Sequence, residues 1–276
     1  MNRRMVLAGA ALLVLALCAY AGRRLWIKSD DLLSPAVILR DADAAALVRP
    51  SLGARLAALR GGARAAAADR PKLVALTFDD GPYPIQTPLL LQTLHDLGVP
   101  ATFFLIGRDA QQFPDLAREI AAAGGEIGDH TLTHPDLDKL DPAQVTAELR
   151  GGAAMLEAIA PQATETRFFR PPHGRYTLAT IRAAQAAGFD TILWNDDPGD
   201  WRAVGAPTLL DHLLHHATAP EIVLLHSGRT ATVAILPELV DRFRRAGYTF
   251  VTVGTLLERA GPGELNTPAK IALAAE

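Results

Sequence analysis

Apolar and polar positions change their pattern near Lys72. Beyond it, short apolar runs alternate with segments whose apolar residues recur at helical intervals. The runs are Leu73–Phe78, Ala101–Leu105, Glu126–Gly128, Arg167–Phe169, Thr191–Trp194, Glu221–Leu225 and Thr249–Val253, all of strand length. The helical spacing falls on Pro88–Leu97, Pro114–Ala123, Pro142–Ile159, Leu178–Ala187, Pro207–His216 and Val233–Ala246. Gly98, Gly124, Gly188 and Gly247 close four of these segments, where glycine suits the left-handed residue that ends a helix. Strand and helix in alternation predict an α/β fold, a parallel sheet with crossover helices. About seven units, all parallel, fit a closed or nearly closed barrel or an open doubly wound sheet. Neither G-x-G-x-x-G nor G-x-x-x-x-G-K occurs, so nucleotide chemistry loses support.

The segment before Lys72 reads differently. Asn2-Arg3-Arg4 precedes an uncharged stretch, Met5–Gly22, which Arg23-Arg24 closes. As a helix it covers roughly 27 Å, close to the hydrocarbon thickness of a bilayer. Two readings stay open: a secretory signal peptide with Ala19-Tyr20-Ala21 as its cleavage site, or an uncleaved anchor with basic flanks at the two membrane faces. Lipoprotein processing at Cys18 fits less well, because Leu17 is bulky. Both leading readings predict export, to a periplasmic or other extracytoplasmic place, with residues 5–22 as the membrane contact if they remain. Residues 30–71, rich in Ala, Arg and Leu, read as a spacer with a helix-like pattern around Leu47–Leu59. The expected organisation is therefore 1–29 targeting segment, 30–71 spacer, 72–260 α/β domain and 261–276 tail.

Composition narrows the classes. The 276 residues are 49% hydrophobic and 21% charged, enough to bury a sizeable core. The net charge is -3, so there is no basic field to hold nucleic acid. Cys18 is the one cysteine, which excludes a disulfide scaffold and a thiolate metal cluster within the chain. A single bilayer-length segment excludes a polytopic transporter.

Ionisable residues gather where the predicted strands end, which is where parallel α/β folds place their chemistry. The first strand runs into Asp79-Asp80, the third into Asp129-His130 and then His134, and the fourth into Arg170. The fifth runs into Asp196-Asp197 and Asp200-Trp201, and the sixth into His226. His130 and His134, four apart, can chelate one ion from a turn, although such a pair alone is more often two surface or capping histidines. With Asp79 or Asp80 as a third donor they make an Asp/His/His set that leaves a position for water. Adjacent carboxylates leave a strand in different directions, so one can bind metal while the other takes protons. In Arg170-Pro171-Pro172-His173-Gly174, a stiffened arginine can hold a carboxylate ionised. Asp197 or Asp200 can raise the basicity of His226 and set its tautomer.

In order and spacing, TFDDGP, HTLTH, RPPHG, DPGDW and LLH resemble the motifs of the polysaccharide deacetylase family, also called the NodB-homology domain or carbohydrate esterase family 4. The resemblance covers about Lys72–Leu257. It implies a distorted parallel (β/α) barrel and metal-dependent removal of N-acetyl, or sometimes O-acetyl, groups from a polysaccharide or oligosaccharide, with release of acetate. Carried over by motif, Asp79 resembles the catalytic base and Arg170 the residue that orients it. Asp80, His130 and His134 resemble the ligands of a divalent ion, Zn2+ first, with Co2+ or Ni2+ as alternatives. His226 resembles the general acid and Asp200 the carboxylate that tunes it. Trp201 and Leu224 resemble walls of the acetyl pocket. His173 stands where the family often has tyrosine, and Pro198 where a hydroxyl residue is common. The change at His173 alters the side chain offered to substrate and keeps the backbone donor. Two rivals remain: a hydrolase on the same barrel acting on a non-sugar amide or ester, and a carbohydrate-binding envelope protein with an inactive site.

Overall fold

The computed structural model describes residues 38–39 and 72–260, all within a unit that spans Pro35–Glu276. In chain order the elements are β1 (Ile38–Leu39), β2 (Leu73–Asp79), α1 (Gln86–Leu97), β3 (Ala101–Leu105), α2 (Gly107–Gln112), α3 (Pro114–Ala122), β4 (Glu126–Asp129), α4 (Pro142–Ile159), β5 (Thr164–Phe169), α5 (Leu178–Ala186), β6 (Asp190–Ile192), α6 (Ala206–His216), β7 (Glu221–His226), α7 (Thr230–Arg245), β8 (Thr249–Phe250) and α8 (Val253–Ala260). Short 3-10 turns stand at Leu137–Lys139, Pro172–Gly174 and Asp200–Arg202. The targeting segment, the Leu47–Leu59 pattern and the tail lie outside the described residues. Among those described, no helix is long and apolar enough to cross a membrane.

β2 is buried along its whole length, as its apolar run requires of a parallel strand covered on both faces. Side chains alternate across it. Val74, Leu76 and Phe78 face the helices, where they meet Leu90 and Leu94 of α1 and Leu236 and Leu239 of α7. Leu73 and Ala75 face the concave side and pack with Phe104, Phe168, Ile192 and Ile222. Continuing that period of two turns Thr77 and Asp79 inward as well. On β7 the same alternation puts Ile222, Leu224 and His226 on the inner face. α8 adds Val253, Leu256 and Ala260 to the inner cluster.

The strand order is β1-β6-β5-β4-β3-β2-β7, with β8 also on β2, and every pair from β2 to β8 is parallel. The sheet curls, and the segment after β6 crosses the gap to β7. There the Asn195 N–H donates to the Ile222 carbonyl at 3.1 Å and the Leu224 N–H to the Asp196 carbonyl at 2.9 Å. An isolated parallel bridge joins Asp196 to Val223. This is the distorted barrel that the family resemblance implies, and of the two architectures left open by the strand and helix pattern it is the nearly closed barrel.

Two expectations need correction. The sheet is parallel except at one edge: Ile38–Leu39, inside the stretch read as spacer, pairs antiparallel with β6. An open curl leaves β6 as an edge with unpaired backbone groups, and a short added strand satisfies them. The run Thr249–Val253 ends as a strand at Phe250. Thr252 then accepts the Thr255 N–H on its hydroxyl at 3.3 Å and opens α8. The short helix α2 carries no apolar period that would have announced it.

Candidate active site

Asp79 ends β2 pointing inward and meets Arg170 from the loop after β5. The Arg170 Nη1 donates to Asp79 Oδ1 at 2.7 Å and to Thr77 Oγ1 at 2.6 Å. Its Nε donates to the Ile192 carbonyl at 3.2 Å and its Nη2 to the Leu193 carbonyl at 3.2 Å. The guanidinium also lies 4.1 Å from the centre of the Phe104 ring. These partners make a fully buried arginine tolerable. Burial raises the Asp79 carboxyl above its ordinary range, against the downward pull of Arg170.

Asp80 leaves the strand in a left-handed backbone conformation, φ 64°, so the two neighbouring carboxylates part. Its Oδ1 lies 3.7 Å from His130 Nε2 and 3.3 Å from His134 Nε2, and the two imidazole nitrogens are 3.2 Å apart. Ligand atoms of the three residues all lie within 4.8 Å of one another, a donor set that fits one small divalent ion. The His130 Nδ1 sits 2.8 Å from the Arg170 carbonyl, which can only accept. The proton is therefore on Nδ1, and Nε2 presents its lone pair to the cluster. Burial pushes the His130 pKa down to about 3, so this imidazole is neutral. Burial lowers His134 too. Both histidines come from a loop rather than a helix. Thr131 and His134 are left-handed at φ 70° and 62°, and His173 at φ 57°. Four of the five non-glycine residues of this kind among those described surround the cluster. Such strain costs of order 1–3 kcal/mol each and gathers at working sites.

Asp79 and His226 are register partners on β2 and β7. The His226 Nδ1 is 2.7 Å from Asp200 Oδ1, while Asp200 Oδ2 accepts the His226 N–H at 2.8 Å and the Thr232 hydroxyl at 2.7 Å. Burial pushes His226 down. The hydrogen bond to Asp200 and the charges of Asp79, Asp200 and Asp80 outweigh it, so its pKa is raised. Across the rim, this imidazole favours its charged form while the two histidines near Asp80 favour the neutral one.

Asp79, Asp80, His130, His134, Arg170, Asp200 and His226 thus meet at the carboxyl ends of the strands. Leu224 is buried on the face of β7 that carries His226. Trp201 stands further out: it is 45% exposed, with the Arg202 guanidinium 4.4 Å from its ring centre. His173 lies with its ring 4.5 Å from that of His134, T-shaped, and its Nδ1 3.0 Å from Asp136 Oδ1. Three supporting residues escaped the sequence reading. Thr77 was within reach, being two before Asp79 on the same strand face. Thr232 and Asp136 carry no local signal, since their partners are distant in the chain.

Comparison with known proteins gives a consistent picture. The family profile of polysaccharide deacetylase matches residues 66–192. The chain is 37% identical over 191 residues to a peptidoglycan-N-acetylglucosamine deacetylase of Bacillus cereus, covering 67% of this chain and 88% of the relative. It is 36% identical over 189 residues to a chitooligosaccharide deacetylase of Bradyrhizobium sp., covering 63% of this chain and 86% of the relative. Among solved structures, the Bc1960 peptidoglycan N-acetylglucosamine deacetylase matches at TM-score 0.64 and 33% identity, over 67% of this chain and 88% of that one.

Proposed function

The chain belongs to the polysaccharide deacetylase family, and from that premise we propose that it hydrolyses the N-acetyl groups of an N-acetylglucosamine-containing polysaccharide of the cell envelope. The observation that carries this reading is the convergence of three ligand atoms within 4.8 Å, with a carboxylate base and an imidazole acid on adjoining strands beside them. A divalent cation held by Asp80, His130 and His134, most simply Zn2+ with Co2+ or Ni2+ as alternatives, would polarise the acetyl carbonyl and lower the pKa of a water beside it.

The chain's own groups account for the protons. Asp79, oriented by Arg170, takes one from the attacking water. His226, charged through Asp200, gives one to the nitrogen as the C–N bond breaks. The backbone N–H of His173 is the candidate donor to the carbonyl oxygen as charge develops, a contribution of about 3–4 kcal/mol in comparable sites. Acetate and a free amino sugar leave. Leu224 and Trp201 are the candidate apolar walls for the acetyl methyl. Residues 5–22 support an extracytoplasmic location, with or without a retained membrane anchor.

The test is acetate release by the metal-loaded full chain from chitin oligomers, peptidoglycan fragments and acetylated xylan, beside the metal content of wild type and His130→Ala. Release from N-acetylated glycans, lost together with metal in the variant, is expected. Release from xylan alone would make it an O-acetyl esterase, and no release from any substrate would overturn the reading.

A further inference from the structure

The two candidate imidazole ligands are held in different ways. His130 donates its Nδ1 proton to the Arg170 carbonyl, the usual means by which a metal-binding histidine is oriented. For His134, the contacts among the described residues are its Nε2 to Asp80 and His130, its N–H to the Thr131 hydroxyl, and two ring contacts. None of them engages Nδ1. What faces the outer side of this ring is the imidazole of His173, T-shaped at 4.5 Å. His173 in turn is tied through Nδ1 to Asp136, two residues beyond His134, at 3.0 Å. Asp136 is braced by Lys139, whose Nζ is 2.6 Å from Oδ2. His173 itself holds a left-handed backbone, φ 57°, a conformation that its surroundings must stabilise.

We propose that Asp136 and His173 are positioning residues for the metal centre: the carboxylate fixes the His173 ring, and that ring, by packing edge to face, fixes the angle at which His134 presents Nε2. The arrangement joins the loop after β4 to the loop after β5, so the grip of one ligand depends on two segments that are 37 residues apart in sequence. It rests on the metal reading above.

A nearby pair separates this role from simple loop clamping. Asp138 joins the same two loops through Arg175, Nη2 2.8 Å from Oδ2, and Arg175 also lies 3.8 Å from Asp136 Oδ1, but Asp138 itself touches neither His134 nor His173 among the described residues. Zinc affinity, measured by chelator competition, and the visible spectrum of the Co2+ form are the readouts. Asp136→Ala and His173→Ala should each weaken zinc binding about 10–100-fold, the range for losing an outer partner of a ligand. The double variant should be no weaker than the worse single one, since both act on one ring. Asp136→Asn keeps an acceptor and should stay within about threefold of wild type, and Asp138→Ala should leave affinity unchanged. The Co2+ spectrum should shift in the two alanine variants alone. Unchanged affinity in both alanine variants, additive losses, or an equal loss in Asp138→Ala would overturn the proposal. A wild-type chain that fails to bind zinc would instead overturn the metal reading itself.

Discussion

Helix α4 approaches the loop that carries both histidines so closely that only glycine fits between them, and Gly152→Ala measures that approach. A Cβ built at Gly152 would lie 2.2 Å from Asp129 Oδ1, 2.8 Å from the Thr131 carbonyl carbon and 3.0 Å from the Leu132 nitrogen. Real Cβ contacts essentially never fall below 3.0 Å, so about 0.8 Å must be found at Asp129 alone. That carboxyl cannot swing aside: it is fully buried and accepts the Thr131 N–H at 2.9 Å. The other two neighbours are backbone. Overpacking of this kind costs about 1–3 kcal/mol, while alanine for glycine inside a helix returns about 0.5–1 kcal/mol. The net loss is therefore about 0–2.5 kcal/mol, centred on about 1 kcal/mol, which at its centre is a fall in Tm of roughly 2–4 °C for a chain this size. Gly151→Ala is the internal control. The three atoms nearest its Cβ all belong to the Leu132 side chain, the closest being Cδ2 at 2.9 Å, a far end that can rotate away. That variant should be as stable as wild type or more so. Because Thr131 and Leu132 lie between the two ligands, Gly152→Ala should also weaken zinc binding about tenfold or more, and Gly151→Ala should not. Thermal unfolding with chelator present and a zinc titration read both effects. If the two variants prove equally stable and bind zinc equally well, the close approach of α4 does not govern the ligand loop.

Three other outcomes follow from the site. Asp79→Asn should keep metal bound but lose turnover by about 10²–10⁴-fold, and near-native activity would show that another group is the base. Arg170→Met leaves a buried carboxylate without its cation and should destabilise the fold by about 3–5 kcal/mol in urea unfolding near pH 7, whereas a loss under about 1 kcal/mol would contradict the buried pairing. Asp200→Asn removes the negative charge that strengthens the hydrogen bond to His226 and raises its pKa, so the alkaline fall in kcat/KM should move to lower pH. For the same imidazole the folded pKa is above the unfolded value. Its contribution to stability is therefore complete below the unfolded pKa, about 6.5, and fades as pH rises through the folded one, and Asp200→Asn should reduce it. An unmoved alkaline limb would mean that His226 is not the acid.

Much of this was legible in the residue pattern because the signals are local. Seven apolar runs and six helical segments declare themselves by period, and α4 begins and ends at the predicted Pro142 and Ile159. Gly98, Gly124, Gly188 and Gly247 all take positive φ where the helices end. HTLTH and TFDDGP keep their members within a few residues, so proximity is nearly assured by chain connectivity. The edge strand Ile38–Leu39 is different: two residues carry no period, and they pair only because the curl leaves β6 open.

Sequence alone thus determined most of the segments that become strands and helices, though not β1, α2 or α8, and which residue types stand at the strand ends, since both depend on neighbours along the chain. Tertiary structure alone decided the register that sets Asp79 beside His226, 147 positions later, and the turn of Arg170 onto Asp79. It also decided the protonation of each imidazole, where burial makes His130 neutral while Asp200 raises His226. The physical reason is that a side chain's charge state depends on desolvation and on partners within a few ångströms, and parallel pairing draws those partners from strands separated by whole helices.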